Sequence, residues 1–307
     1  MNKIKNAFYY FLHDRNRLRL AILMRIARFY KSDEKYLKKL FRLSMGKDLN
    51  LDNPQTFSEK LQWLKLYNRK PEFTKMVDKY AVKEYVASII GDEYIIPTLG
   101  IWNKFDDIDF DSLPKQFVLK TTHGGGSGGV VVCKDKANFN IEAARKKLNR
   151  SLKFDIYTNY REWPYKDVEP RIIAEKYIEV EGHSDLPDYK FFCFNGEPKY
   201  CQVIRDRNTK ETIDFYDMEW NHMPFVGLNP VANNGNTSVA KPEHLDTMIS
   251  VCKKLAKDIP FLRIDLYVVN NKEYFGEITF YPASGMGEFR PIEWNYKLGG
   301  LIQLPTA

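Results

Sequence analysis

The chain has 307 residues, enough for one large core or for two or three lobes, and its 44% hydrophobic and 28% charged residues make an ordinary globular balance. Cys133, Cys193, Cys201 and Cys252 form no CxxC pair, and with five histidines no zinc pattern arises. The net charge of +7 is concentrated at one end: residues 1–45 carry twelve Lys or Arg against Asp14, Asp33 and Glu34, a local balance of about +9 that leaves about −2 for the rest.

No secretory leader is visible, and no run approaches the roughly 18 uncharged apolar residues that a bilayer span needs, so a cytoplasmic protein with free, buried thiols is expected. Residues 1–50 read as a basic helical segment. In Leu18–Tyr30 apolar and basic residues mix at near-helical spacing, with Arg25 and Arg28 on one side. Such a helix suits an anionic membrane surface, and docking against its own domain is the cheaper alternative.

A helical and α/β region is expected over 51–115. Thr56 lies three residues before Glu59, the spacing of a capping box, and opens a helix over Phe57–Tyr67. A second helix is predicted from about Phe73 to Ile89, ended by Gly91, and then a short strand over Ile95–Ile101 interrupted by Pro97. In 116–180, Gln116–Lys120 is a buried-type strand, and Val130–Cys133 follows the glycine loop as another, together a hairpin-like flap. A helix over Asn140–Leu152 and a strand over Arg171–Glu179 complete this lobe. In 181–307, Asp188–Phe194 and Pro198–Arg205 flank the hairpin turn Asn195-Gly196. Residues 221–240 read as a loop and Pro242–Ala256 as a helix. Phe261–Val269 and Tyr274–Phe280 form a second hairpin around Asn270-Asn271, and the tail Pro282–Leu301, with its glycine and aromatic residues, is expected to close over part of the molecule.

Three pieces carry chemistry. The five glycines of Gly124–Gly129 let backbone N–H groups approach phosphate oxygens, and Lys120 ends the strand that feeds them. The loop is neither GxGxxG nor a P-loop, since no lysine follows the glycines and a strand comes next. In the second hairpin, period-two alternation puts Arg263 with Asp265 on one face and Glu277 with Thr279 on the neighbouring strand, so that the two acids face each other. Such a pair repels unless a cation lies between, and magnesium is the natural cation beside phosphates. The third piece, Ile172–Glu179, offers strand backbone to an adenine edge and acids to ribose hydroxyls.

The order FVLKTTHGGGSGGV, IIAEKYIE, DYKFFCFNGEP, RIDLY and FGEITFYP resembles the ATP-grasp superfamily. With FSEKLQWLKLYNR and DKYAVKEYV it resembles the TupA-like branch associated with teichuronopeptide and other surface-polysaccharide biosynthesis. The resemblance implies an α+β fold with a nucleotide cleft between two sheet-containing lobes, and ATP and Mg2+ as cofactors. It implies Lys79 or Lys83 as the helical lysine ahead of the cleft. Lys120 becomes the phosphate lysine, with His123, Gly124, Gly125, Gly126, Ser127 and Gly128 in the covering loop. Glu175, Tyr177 and Ile178 meet adenine, Glu179 the ribose, and Lys190 the nucleotide. Asp265 and Glu277 hold magnesium, with Thr279 where many members place an asparagine, and Arg263 steadies the oxyanion.

The chemistry so implied is amide ligation through an acylphosphate. It joins a uronic acid with an amino acid or small amine, or an amino acid with an amino sugar, and no nucleic acid is expected as partner. Contact with lipid-linked glycans at the inner membrane face suits the basic N-terminus. A sugar or polysaccharide kinase using the same nucleotide site is the alternative, and a non-catalytic binding protein is the third reading. His123, Arg205, Arg207 and Arg290 are candidate carboxylate contacts, and Trp220, Trp294 and Tyr281 candidate platforms for sugar rings.

Overall fold

The computed structural model describes residues 15–124, 126–178, 188–205, 212–228 and 239–306. Its first described elements are α1 (Arg15–Arg25) and α2 (Asp33–Met45). The Ser32 side chain accepts from Lys35 N at the start of α2, Asp33 and Glu34 sit in its first turn, and Gly46 closes it in the left-handed region at φ 71°. Tyr36, Leu37, Leu40 and Phe41 are buried with Leu23 and Ala27 from the first helix and the turn after it. Arg161 ties this pair to the body: its guanidinium lies 2.9 Å from Asp33, donates to Ala27 O at 2.7 Å, and covers the Tyr36 ring. Docking of one face against the protein's own domain is therefore observed.

Helix α3 (Phe57–Tyr67) begins with the expected capping box between Thr56 and Glu59. The single helix expected from Phe73 to Ile89 is instead two, α4 (Glu72–Val77) and α5 (Ala81–Ile90). Asp78 makes the break: its Oδ1 accepts the N–H groups of Tyr80 and Ala81 at 2.8 and 3.2 Å, and its own backbone is extended. A side chain that captures backbone donors in this way competes with the helix ladder. The break lets Lys79 N bond Thr122 O at 2.9 Å, which holds Lys79 beside the glycine loop.

Two antiparallel sheets follow. The smaller has the order β1-β4-β2-β3, with β1 Thr98–Trp102, β2 Phe117–Thr121, β3 Val130–Cys133 and β4 Ile172–Lys176. Helix α6 (Ile141–Leu152), capped by Asn140, covers it with Ala144 and Leu148 against Phe117, Leu119, Ile172 and Ala174. A short α7 (Ile156–Tyr160) comes next. Strand β1 starts three residues later than expected because Pro97 stays outside it, its carbonyl accepting from Lys176 N.

The larger sheet has the order β10-β9-β5-β6-β7, with β5 Asp188–Phe194, β6 Glu197–Arg205, β7 Thr212–Tyr216, β9 Phe261–Val269 and β10 Lys272–Thr279. Both expected hairpin turns form, with Asn195, Gly196, Asn270 and Asn271 at positive φ. Helix α8 (Leu245–Leu255) and residues from α3, α4 and α5 share this sheet's core, where Phe57 packs edge-to-face on Phe194, Phe261 and Phe289. The stretch 51–115 is thus not one unit: α3–α5 pack with the larger sheet, whereas β1 completes the smaller one. The short pair β8 (Val226–Gly227) and β11 (Phe289–Arg290) leads to α9 (Glu293–Leu301), which lies against α3.

All four cysteines are buried and free. Of the candidate sugar platforms, Trp294 and Tyr281 are buried and Trp220 is half-buried. Trp294 stacks on Phe225 at 4.2 Å, Trp220 on Tyr216 at 4.6 Å, and Tyr281 is 3% exposed. One face of each tryptophan ring therefore packs against protein. No helix among the described residues is long and apolar enough to cross a membrane.

Candidate active site

The cleft is built from both sheets and the lysine-bearing helical segment. Lys79, Val82, Lys83, Ile95, Ile96, Lys120, Glu175, Phe275 and Gly276 line it. At its floor stands Glu175, 5% exposed on β4. One carboxylate oxygen meets Lys120 Nζ at 2.5 Å and the other Lys83 Nζ at 2.6 Å. Lys83 also donates to Ile96 O at 2.6 Å. Burial on its own would raise the Glu175 pKa, but the two ammonium groups win and lower it. Lys83 shifts down, chiefly by burial, with Glu175 opposing.

The sequence assigned Glu175 to adenine. Its carboxylate is instead taken up by two lysines, which it aims into the cleft. The choice between Lys79 and Lys83 resolves into two jobs: Lys83 pairs with Glu175, while Lys79 donates to Gly124 O at 2.5 Å and approaches Glu277 Oε2 at 3.6 Å. Lys79 therefore joins the glycine loop to the acid pair.

The loop leaves β2 at Thr121, whose hydroxyl meets Ser151 Oγ at 2.8 Å. A Cβ at Gly124 or Gly129 would collide with that Thr121 hydroxyl, so close approach requires glycine at both, whereas Gly128 faces open space. Gly126–Gly129 form a single 3-10 turn entering β3. Gly125 and Glu179 lie outside the described residues, as does Arg207. His123 is buried beside the backbone of Ser151 and Phe154, and not among the cleft residues. Burial lowers its pKa against those backbone groups. Tyr177 and Ile178 are half-buried and continue from β4 toward residue 179.

Across the cleft, Asp265 on β9 and Glu277 on β10 are register partners, brought opposite each other by a register shift after Phe275. A bulge at Gly276 precedes Glu277, and a Cβ there would meet Asp265 O at 2.9 Å. Arg263 bridges the acids, with Nε at 2.7 Å and Nη2 at 2.9 Å from the Asp265 oxygens and Nη2 at 2.8 Å from Glu277 Oε1. Lys190, opposite Asp265 on β5, bonds the same carboxylate and meets Asp188 at 2.8 Å. The pair therefore diverges in character. Burial raises Asp265 despite Arg263 and Lys190. Burial would also raise Glu277, but Lys79 and Arg263, backed by Lys190 and Lys120, hold it at about 2.

This donor set fits magnesium in one particular way. Among the described residues no group of three or more acids, histidines or cysteines is arranged to hold a metal ion by itself. Magnesium, however, binds through one or two carboxylates together with phosphates and water. Glu277 is the accessible carboxylate, with 31% of its side chain exposed against 1% for Asp265, and Thr279 Oγ1 lies 3.4 Å from it. Glu277 and, on release of Arg263 or Lys190, Asp265 would hold the ion. Sequence reasoning passed over Asp188, although it lies two residues before Lys190 and so on the same strand face, and it passed over the apolar lining of Val82, Ile95, Ile96 and Phe275.

Two antiparallel sheets closing on a lysine-lined cleft opposite a bridged acid pair fit the ATP-grasp fold. A family model described as TupA-like ATPgrasp matches residues 59–303, and the chain belongs to that family. Solved structures with a related fold include D-alanine–D-alanine ligase from Bacillus anthracis complexed with ATP, at 15% identity and TM-score 0.39, over 67% of this chain and 54% of that one. The D-alanine–D-alanine ligase of Helicobacter pylori is similar at 16% identity and TM-score 0.40, over 80% and 69%. D-alanyl-alanine synthetase A of Vibrio cholerae is similar at 10% identity and TM-score 0.41, over 79% and 62%. The chain spans little more than half the length of the first of these. No curated protein matches it.

Proposed function

We propose that this chain is a carboxylate–amine ligase that consumes ATP through an acylphosphate. It would amidate a uronic acid, or join an amino acid to a sugar amine, in surface-polysaccharide biosynthesis. The observation that carries the reading is the opposition of two charge sets across one cleft: Lys83 and Lys120 on Glu175, facing Arg263 on Asp265 and Glu277. The first suits polyphosphate, and the second suits charge that develops at the transferred group and at the reacting carbonyl.

In the first step a substrate carboxylate oxygen forms a bond to the γ-phosphorus as the bond to the ADP oxygen breaks. In the second an amine bonds the acyl carbon, phosphate leaves, and the amine gives up a proton. Magnesium, when bound at Glu277, supplies charge neutralisation for the phosphates. Lys120 holds phosphate oxygens. Lys79, by gripping Gly124 O, couples the position of the glycine loop to Glu277, and a closed loop keeps water from the acylphosphate. Arg263, with its guanidinium already fixed by two carboxylates, is preorganised for the tetrahedral oxyanion.

Mass spectrometry of products from ATP, magnesium, a uronate-containing glycan and a pool of amino acids tests the reading. A mass gain equal to amide formation, dependent on the amine and accompanied by ADP and phosphate, supports it. A mass gain equal to phosphorylation without any need for amine replaces it with a kinase.

A further inference from the structure

We propose that α1 and the 3-10 turn after it, Ala27–Phe29, form a face that docks on an anionic lipid surface. This segment has two apolar sides, one buried and one exposed. Leu23 and Ala27 point inward and are 1% and 0% exposed. Ile22, Ile26 and Phe29 point outward and are 48%, 39% and 68% exposed. Spaced four and three residues apart, they form one stripe along the helix. Once the inner side has docked on α2, no other element among the described residues packs on the outer one. Three large apolar side chains so close together on a surface mark a contact site rather than ordinary scatter.

The surroundings of the stripe specify the partner. Arg19, Arg25 and Arg28 flank it and are exposed, and the Arg28 guanidinium lies over the Phe29 ring at 4.8 Å. Lys31, Lys35 and Lys39 extend the positive field along the neighbouring helix. An apolar centre rimmed by guanidinium groups matches a bilayer interface, where rings and branched chains enter the headgroup boundary and arginines bind lipid phosphates. A nucleic-acid backbone would use the charges and leave the stripe wet. A second copy of the chain, related by a two-fold axis, would set arginine against arginine. The face is held firmly on the body through Arg161, and Met286, just beyond the loop that follows β10, packs on the same helical core. Docking would thus hold the body of the molecule at a fixed orientation to the membrane.

The full chain is tested by co-sedimentation with vesicles of phosphatidylcholine alone and of phosphatidylcholine with about 30% phosphatidylglycerol. Binding to the anionic vesicles that weakens with added salt, and falls about tenfold in the triple variant Ile22→Ser, Ile26→Ser, Phe29→Ser, is expected. The variant should melt with the wild-type profile, since the altered side chains are exposed. Arg25→Glu with Arg28→Glu should give the same loss. Equal sedimentation of wild type and triple variant overturns the proposal. So does a salt-sensitive affinity for duplex DNA without vesicle binding, or a dimer in solution that the triple variant disperses.

Discussion

Asp265 and Glu277 face each other across the β9–β10 hairpin, and the space that would hold a bridging cation between them is reached by the guanidinium of Arg263. The repulsion that sequence reasoning assigned to magnesium is therefore offset in part by the chain itself, through the Arg263 bridge.

Replacing that bridge separates binding from turnover. In Arg263→Met the oxyanion loses its fixed partner while Lys83, Lys120 and the glycine loop remain. Turnover should fall by about two to three orders of magnitude, with ATP affinity changed only a few-fold. Arg263→Lys should recover little, because an ammonium cannot contact both acids as a planar fork does. Steady-state rates alongside calorimetric titration with a non-hydrolysable ATP analogue check this.

Glu175 governs the other side of the cleft. In Glu175→Gln two lysines, 14% and 20% exposed, lose their counter-charge. Breaking such a buried network should lower stability by about 3 kcal/mol. The KM for ATP should rise while that for the acceptor stays put. Lys120→Met should raise the KM for ATP with a smaller stability loss, since Glu175 keeps Lys83. Urea melts and substrate-saturation curves distinguish the two.

Glu277 sets an acid limit on stability. Folding depresses its carboxyl from 4.5 to about 2. A depressed carboxyl contributes stability that is complete above its unfolded value and is lost as pH falls through the folded one. In magnesium-free buffer, the stability difference between wild type and Glu277→Gln should therefore shrink as pH drops from about 5 to about 2. Urea melts across this range measure it, and a difference that grows toward low pH would show that the lysines and Arg263 do not hold the group down.

Gly276 allows the bulge that places Glu277. A Cβ there would approach Asp265 O at 2.9 Å and the Tyr267 ring at 2.8 Å. Gly276→Ala should cost about 1–3 kcal/mol through overpacking and should weaken magnesium-dependent nucleotide binding more than magnesium-free binding. Thermal melts and titrations with and without magnesium read the two effects.

Features set by local chemistry were legible in the sequence. The Asn270-Asn271 turn marked the hairpin that carries Asp265 and Glu277, although the bulge at Gly276 that sets them opposite each other was not visible; Thr56 and Glu59 marked a helix start, and the glycines marked a loop between paired strands. What escaped depends on partners distant in the chain. Asp78 breaks a continuous helical pattern with a carboxylate that also pairs with Arg171, 93 residues away. Glu175 reads as one charge on an alternating strand until Lys83 folds over it. Trp220 and Trp294 carry nothing in their neighbours to show that Tyr216 and Phe225 cover them. The glycine loop and the acid pair were visible separately, and Lys79, which joins them, was visible only as one of two lysines.

The acylphosphate is tested most directly with acceptor carrying oxygen-18 in its carboxylate. Ligation by the proposed route transfers one labelled oxygen to the inorganic phosphate released with each amide bond, and phosphorus NMR or mass spectrometry of the phosphate should show it. Phosphate that emerges unlabelled, or product that retains both labelled oxygens, would contradict the account.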